Sequence, residues 1–288
     1  MTKTEGLMKS LRTLVLAVLA IVMIAPVVLT VTNSLTTEQE IGLNYGAIGR
    51  LDAGENTFVN LKVIPDKVSL EQYAKVLTDT PQFLFMFWNS VLVVLPIIAG
   101  QVVVASLAAY AFAKLRFQGR DKLFLVYLLT MLMPFQVTLV PNYIIADRLG
   151  LTNSQAAIIL PGIFAAFGVF LLRQFMMHIP YAYIEAAKID GAGQLRIFCA
   201  IVLPMVKPAL AALVILLFVD NWNMVEQPLI FLQDAIKQPL SVYLSRINEE
   251  ARGVAFAASV VYMTPMVLLF LYAEPYFIEG VQLSGVKG

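Results

Sequence analysis

The sequence predicts an all-α membrane protein: six transmembrane helices, both termini inside, and a helical elbow on the cytoplasmic face. Three observations predict it. Of its 288 residues, 59% are hydrophobic and only 14% charged, with a mean hydropathy of +0.79. Apolar runs of about 20 residues recur along the chain, the length that crosses a hydrocarbon layer roughly 30 Å thick. Basic residues gather in alternate connecting segments, as the positive-inside rule requires.

The N-terminal stretch "MTKTEGLMKSLR" is basic and leads into an apolar run from Leu14 to Val31. That run exceeds the apolar core of a cleaved signal peptide, about 7–15 residues, so it reads as a retained first span. The six spans fall near 13–33, 88–113, 123–145, 155–175, 206–224 and 255–274. Their interiors are almost free of charge, and unpaired backbone groups in lipid require them to be helical. Pro26, Pro96, Pro134, Pro161 and Pro265 lie inside spans and read as kinks that a packed bundle tolerates. No pair of half-helices is evident at mid-membrane.

Residues 1–288 form one transmembrane domain on this reading, with an outer loop over 34–87 and a cytoplasmic loop over 176–205. The short basic segment "KLRFQGRDK" at 114–122 is the sharpest mark of orientation. The first half of the outer loop, "TTEQEIGLNYGAIGRLDAGENT", reads as exposed and irregular. Its second half contains "SLEQYAKVL", where Ser69 and Gln72 have the spacing of a capping box. Leu70, Tyr73, Ala74 and Leu77 then share a face that suits a helix lying over the bundle at the membrane interface. No soluble domain, low-complexity tract or internal repeat is apparent.

Several functions are excluded by composition. A formal charge of +1 gives no support to nucleic-acid binding. One cysteine, Cys199, and one histidine, His178, leave no disulfide framework and no clustered metal ligands. The phosphate-cradling, zinc-protease and serine-hydrolase signatures are absent, so no catalytic residue and no metal ligand is assigned. Ion-coupled carriers place ionisable groups inside their spans. Here Asp220 lies near the outer end of span five and Glu274 near the inner end of span six.

The stretch 183–208, "YIEAAKIDGAGQLRIFCAIVLPMVKP", stands apart as a compact polar turn between apolar runs. Pro180 suits a helix start, and Tyr181–Asp190 follows it. Gly191 suits a left-handed C-terminal turn. Leu195, Phe198, Cys199 and Val202 have helical spacing for a second apolar stripe, and Pro204 and Pro208 mark the bend into span five. Small Ala186 and Ala187 permit close approach of a partner helix, Glu185 can pair with a basic residue, and Phe198 is a candidate anchor for a partner's pocket.

This stretch resembles the EAA loop of ABC-importer permeases, with matches at Glu185, Ala186, Ala187, Asp190, Gly191, Ala192, Phe198, Ile201, Pro204 and Pro208. "VSLEQYAKVL", "FWNSVLVV", "AAYAFAKLRFQGRDKL", "MPFQVTLVPNYIIADRLGLTNS", "FLLRQFMMHIP" and "GVQLSGVKG" are similar to the carbohydrate-uptake permeases of the maltose type, smaller six-span subunit. The likeness leaves residues 35–60 outside. It implies a bacterial inner-membrane subunit, not itself an enzyme, that imports a sugar or oligosaccharide. ATP and magnesium would sit on two cytoplasmic ATPase subunits, and the elbow would dock in a cleft of an ATPase, with Glu185, Ala187 and Gly191 at its heart. A second homologous permease subunit and an extracytoplasmic solute-binding protein complete the implied assembly. The tail ending in Lys287 and Gly288 would reach toward the ATPases.

The sequence departs from the family after span five. "NWNMVEQPL" keeps Trp222, Asn223 and Pro228 but carries Met224, Val225, Glu226 and Gln227 where the family commonly has Asp, Phe and a Trp-Pro pair. Glu274, Pro275 and Glu279 stand where the family often has Gln-Arg and Lys. Asp220, Asn221, Trp222, Asn223, Glu226 and Gln227 offer an aromatic face, amides and carboxylates for a sugar; the same cluster also fits an interfacial aromatic belt. Two other readings stay open: an ion-coupled carrier acting alone, and a scaffold that recruits a cytoplasmic partner through the elbow.

Overall fold

The computed structural model describes residues 3–45, 60–246 and 252–285, with side chains described for 8–45, 60–246 and 252–275. Among these no strand forms, and one isolated bridge pairs Thr36 with Val68. The helices are α1 (Lys3–Ser34), α2 (Glu38–Tyr45), α3 (Glu71–Ala74, continuing through a π turn, Lys75–Asp79) and α4 (Pro81–Lys114). Next come α5 (Arg120–Met131), α6 (Phe135–Arg148), α7 (Ala156–Ile163), α8 (Ala166–Met177) and α9 (Tyr181–Ile189). Then α10 (Gln194–Ile197) runs through a π turn (Phe198–Val202) into α11 (Leu203–Met205). The last are α12 (Lys207–Trp222), α13 (Glu226–Phe231), α14 (Leu240–Leu244) and α15 (Arg252–Gly285).

Among the described residues, four stretches are long and apolar enough to cross a membrane as they stand: Met8–Ser34, Pro81–Lys114, Ala156–Met177 and Arg252–Pro275. The count reaches six when two bent pairs are each taken as one span. The third span, expected as a single helix over 123–145, is one of these. It is α5 and α6, bent by 98° at Leu132–Pro134. Pro134 takes extended backbone (φ −63°, ψ 142°), and a proline disfavours helical backbone in the residue before it. Two half-helices thus stand where one continuous helix was expected. A milder break at Ala165, also extended, separates α7 from α8.

The chain divides into two compact units, Met1–Leu84 with Leu244–Thr264 and Phe85–Tyr243 with Pro265–Gly288. In the first, part of the loop expected to be irregular is α2, which buries Ile41 and Tyr45. Tyr45 accepts a backbone-carbonyl hydrogen bond from Arg252 and packs its ring 5.8 Å from Phe256. Residues 46–59 lie outside the described residues. Glu40 ties this unit together: it accepts from the Asp66 amide at 3.0 Å and pairs with Lys62 at 3.1 Å.

The expected capping box is only half made. Ser69 Oγ accepts from the Glu71 amide (3.2 Å), but Gln72 turns inward and donates to Glu38 at 2.7 Å. Gln72 and Val76 are the buried positions of this segment, while Leu70 and Leu77 are exposed. A β-carbon on Gly253 would lie 2.4 Å from the Gln72 amide and 2.5 Å from the Glu38 carboxylate, so a larger residue there would displace this side-chain pair.

The second unit is organised on α4. Its Gly100 faces Ile163 of α7, where a β-carbon would come within 2.6 Å, and Gly162 of α7 faces Ile97 in return. Small residues thus bring the two backbones close, the usual device where lipid supplies no hydrophobic drive for association. Gly168 makes a third such contact, against Ala105 and Leu213. Val93, Ile97, Ala146, Ala157, Ile158, Phe231 and Leu232 form one buried apolar cluster.

Candidate functional site

The elbow is built by local chemistry. α9 starts after Pro180 and ends at Asp190, with Gly191 left-handed at φ +76°. The Gly191 amide donates to Lys188 and the Ala192 amide to Ala187, the paired bonds of a Schellman cap. A β-carbon at Gly191 would meet nothing, so its backbone angle alone calls for glycine. Glu185, Ala186, Asp190 and Gly191 are exposed, as are Tyr183 and Ile189. Ala187 instead faces inward beside Ile184.

The second limb differs from the expected stripe. Ile197, Phe198 and Val202 are buried, whereas Leu195 is 72% exposed and Cys199 is also exposed. The π turn over Phe198–Val202 widens the helix and shifts the buried face, so an ordinary helical count holds at Phe198 and Val202 and fails at Leu195 and Cys199. Phe198, expected as an anchor for a partner, is spent inside its own chain: its ring lies 5.3 Å from Tyr110 on α4. Tyr110 also donates its hydroxyl to Gln194 at 2.8 Å. One turn further along α4, Lys114 donates to the Ile179 carbonyl at 2.6 Å. Both limbs are thereby fastened to the same end of α4.

The limb Gln194–Met205 meets α12 at a 77° bend. Pro208 lacks an amide hydrogen and its ring crowds the carbonyl four residues back, at Pro204, which ends the first helix there. Val206, between them, leaves helical geometry (φ −105°, ψ 16°). Chain from the elbow thus passes directly into α12.

The far end of α12 reaches a cavity of about 580 Å³, within the size range of small-molecule sites. Its wall includes Gln101 of α4, Thr130 of α5, Thr138 and Asn142 of α6, Asp220 and Asn221 of α12 and Gln227 of α13. Phe135 and Phe167 supply half-buried aromatic surface. Both helix breaks lie on it, through Met133 and Ala165. Gln101, 1% exposed, donates to the Ala165 carbonyl at 3.3 Å, occupying an acceptor at the α7–α8 break. An adjoining hollow of about 550 Å³ shares Phe135, Asp220, Asn221 and Gln227 and adds Asn223 and Glu226. Gln136 donates to Glu226 at 3.2 Å.

Five of the six sugar-contact candidates therefore line these hollows, and Trp222 does not. It is 1% exposed, stacked on Phe218 (5.0 Å, 16°) and edge-on to Phe87 (5.7 Å). Sequence reasoning missed Gln101, Thr130, Gln136, Thr138 and Asn142. A lone amide inside "LPIIAGQVVVASL" and the polar i, i+4 pair Thr138–Asn142 were the available signals.

At the other end of α4 two quoted motifs meet. Asn89 and Ser90 of "FWNS" hold the segment after α13: Asn89 donates to the Ile236 and Gln238 carbonyls, and Ser90 accepts from the Leu240 amide at 2.9 Å. Asn153, left-handed at φ 57°, donates its amide to Phe231 and accepts from the Asp234 amide at 3.1 Å. These residues fix the loop that follows the cavity.

This helical fold is seen elsewhere. It matches a chain in the crystal structure of a bacterial ABC transporter involved in the import of the acidic polysaccharide alginate. The TM-score is 0.78 at 22% identity, covering 96% of this chain and 99% of that one. Relatives by sequence include the arabinooligosaccharides transport system permease protein AraQ of Halalkalibacterium halodurans, 32% identical over 78% of this chain and 81% of that protein. The lactose transport system permease protein LacG of Rhizobium radiobacter is 32% identical over 70% of this chain and 75% of its own length. The sn-glycerol-3-phosphate transport system permease protein UgpE of Pectobacterium atrosepticum is 33% identical over 70% and 74%. The chain belongs to the family of binding-protein-dependent transport system inner membrane components, whose model matches residues 67–276. It is a permease subunit of the inner membrane rather than an enzyme.

Proposed function

We propose that this chain is one half of the pore of an ATP-driven importer that brings a sugar or oligosaccharide into the cell. Its termini lie inside, two ATPase subunits carry ATP and magnesium, one of them holding this chain's elbow in a cleft, and a second homologous permease subunit closes the pore. A solute-binding protein delivers cargo from outside. The tail at Lys287 and Gly288, assigned to the ATPases, lies outside the described residues.

One observation carries this reading: the exposed turn at Glu185–Gly191 is tied through Gln194–Met205 to α12, and α12 ends in the cavity wall at Asp220 and Asn221. When the ATPases close, the elbow moves with them. α12, about 24 Å long at 1.5 Å per residue, acts as a lever on the cavity, while Tyr110 and Lys114 couple the same motion into α4. Glu185 and Asp190 present charge to the ATPase surface, and the exposed Tyr183 and Ile189 present apolar contact. Asn221, Gln227, Asn223, Glu226 and Asp220 pair with cargo hydroxyls, and Phe135 and Phe167 meet the apolar faces of sugar rings. Trp222 supports the wall from behind.

The test is reconstitution with native partners in lipid vesicles and a panel of oligosaccharides screened for stimulation of ATPase activity. At least one carbohydrate stimulates it, and Gly191→Asp abolishes uptake while the chain still inserts. Full ATP-dependent uptake by that variant would remove the elbow's assignment. Uptake driven by an ion gradient without ATPases would point to a carrier instead.

A further inference from the structure

The cavity's charge carries more than its shape. Its wall combines neutral amides and hydroxyls, Gln101, Thr130, Thr138, Asn142, Asn221 and Gln227, with one ionisable side chain, Asp220. The adjoining hollow adds a second carboxylate, Glu226. Among the described residues, none that lines either hollow is lysine, arginine or histidine. Asp220 is exposed to this space, so its negative field acts on whatever enters. Apolar walls of low polarisability concentrate that field, and at separations of several ångströms it weighs on the order of tenfold per unit charge on an entering solute.

We propose that this cavity selects uncharged carbohydrate and rejects sugars bearing a phosphate or carboxylate, with Asp220 as the discriminating residue. The proposal rests on the permease reading and narrows its cargo. Amides and hydroxyls satisfy hydroxyl groups in either hydrogen-bonding direction, which suits a polyol. A phosphate or uronate needs a cation or a cluster of donors to replace its water, and burying it here beside a carboxylate leaves it unpaired. Specificity of this kind comes from a repulsive element rather than an added contact.

The experiment reads the cavity's field directly in the assembled importer in vesicles. On a Cys199→Ser background, Thr138→Cys places a thiol in the wall. Its rates of modification by a trimethylammonium-ethyl and a sulfonato-ethyl methanethiosulfonate are compared with those of free cysteine in the same buffer. The cationic reagent is expected to gain about tenfold over the anionic one relative to free cysteine, and Asp220→Asn should cut that gain at least threefold. Gln227→Cys is a second reporter should Thr138→Cys fail to insert. In parallel, for a neutral oligosaccharide that stimulates the ATPase, its alditol is compared with its aldonate; both are open at the former reducing end and differ there by a hydroxymethyl group against a carboxylate. The aldonate should act at least tenfold more weakly, with the gap narrowed by Asp220→Asn. Equal labelling by both reagents, or a preference that Asp220→Asn leaves unchanged, overturns the proposal. Labelling needs no cargo, so that failure leaves the permease reading intact, whereas absence of any carbohydrate stimulation tells against the permease reading and not against the field.

Discussion

The elbow and the cavity sit on one continuous piece of chain, yet they are made in opposite ways. The elbow's exposed groups, Glu185 to Gly191, are neighbours in sequence and are held by bonds within a few residues, the paired cap at Lys188 and Ala187. The cavity's groups come from α4, α5, α6, α7, α8, α12 and α13 and meet only because two spans are broken and three glycines admit close packing. A site made locally survives changes in the bundle around it. A site assembled from many helices fails whenever their packing shifts. That difference predicts which substitutions uncouple the protein and which unfold its binding surface.

The largest expected effect is at the junction of the two. Phe198→Ala removes the ring that fastens the elbow to Tyr110, a loss of about 3–5 kcal/mol for a buried aromatic. Its thermal midpoint in detergent should fall and uptake should vanish, with ATPase activity no longer answering to cargo. A normal midpoint with normal coupling would show that the elbow is held elsewhere. Next is Gly100→Leu, which drives a side chain into Ile163 and costs about 1–3 kcal/mol as overpacking. Cavity labelling should change while ATPase subunits still co-purify, which separates the bundle from the elbow; lost co-purification would merge them.

Glu185→Lys should do the reverse. The residue is exposed, so stability stays within about 0.5 kcal/mol, while co-purification with the ATPase drops at least tenfold. Unchanged association would move the docking charge to another residue. Tyr110→Phe keeps the ring on Phe198 and deletes only the bond to Gln194, worth about 1 kcal/mol. A partial rise in ATPase activity without cargo is the expected readout.

The smallest effect is expected in the first unit. The Asp66 amide, with Lys62 beside it, holds the Glu40 carboxyl below the ordinary value of 4.5. A depressed carboxylate contributes stability above its unfolded value, and that contribution fades as pH falls through the folded one. Acid below about pH 4.5 should therefore raise amide exchange over residues 60–68, Glu40→Gln should abolish that dependence, and elbow and cavity readouts should not follow it. Exchange that rises equally in the glutamine variant would place the acid-sensitive group elsewhere.

Much of this was legible in the sequence because membrane helices and helix caps obey local rules. Apolar runs, the left-handed Gly191 and the bend at Pro204–Pro208 each follow from a few adjacent residues. Phase and depth were less accessible. Leu195, Phe198, Cys199 and Val202 have the spacing of a buried stripe, but around the π turn only Phe198 and Val202 of these are buried and Ile197 joins them in place of Leu195 and Cys199. Pro134 reads as a kink in any span, and whether it becomes a 98° break depends on what packs around it. Trp222 has the chemistry of a sugar-stacking ring, yet Phe218 and Phe87 enclose it.

By itself, then, the sequence determined that this chain is helical, embedded in a membrane and equipped with an elbow, since hydropathy and capping act over one span or one turn. Tertiary structure alone decided that Asp220, Asn221 and Gln227 share a cavity with Gln101, Thr138 and Asn142, and that Phe198 and Trp222 are withdrawn from partners and cargo. The physical reason is range: a helix forms from its own backbone bonds, whereas a cavity is the space left when glycine contacts and broken spans bring distant residues together.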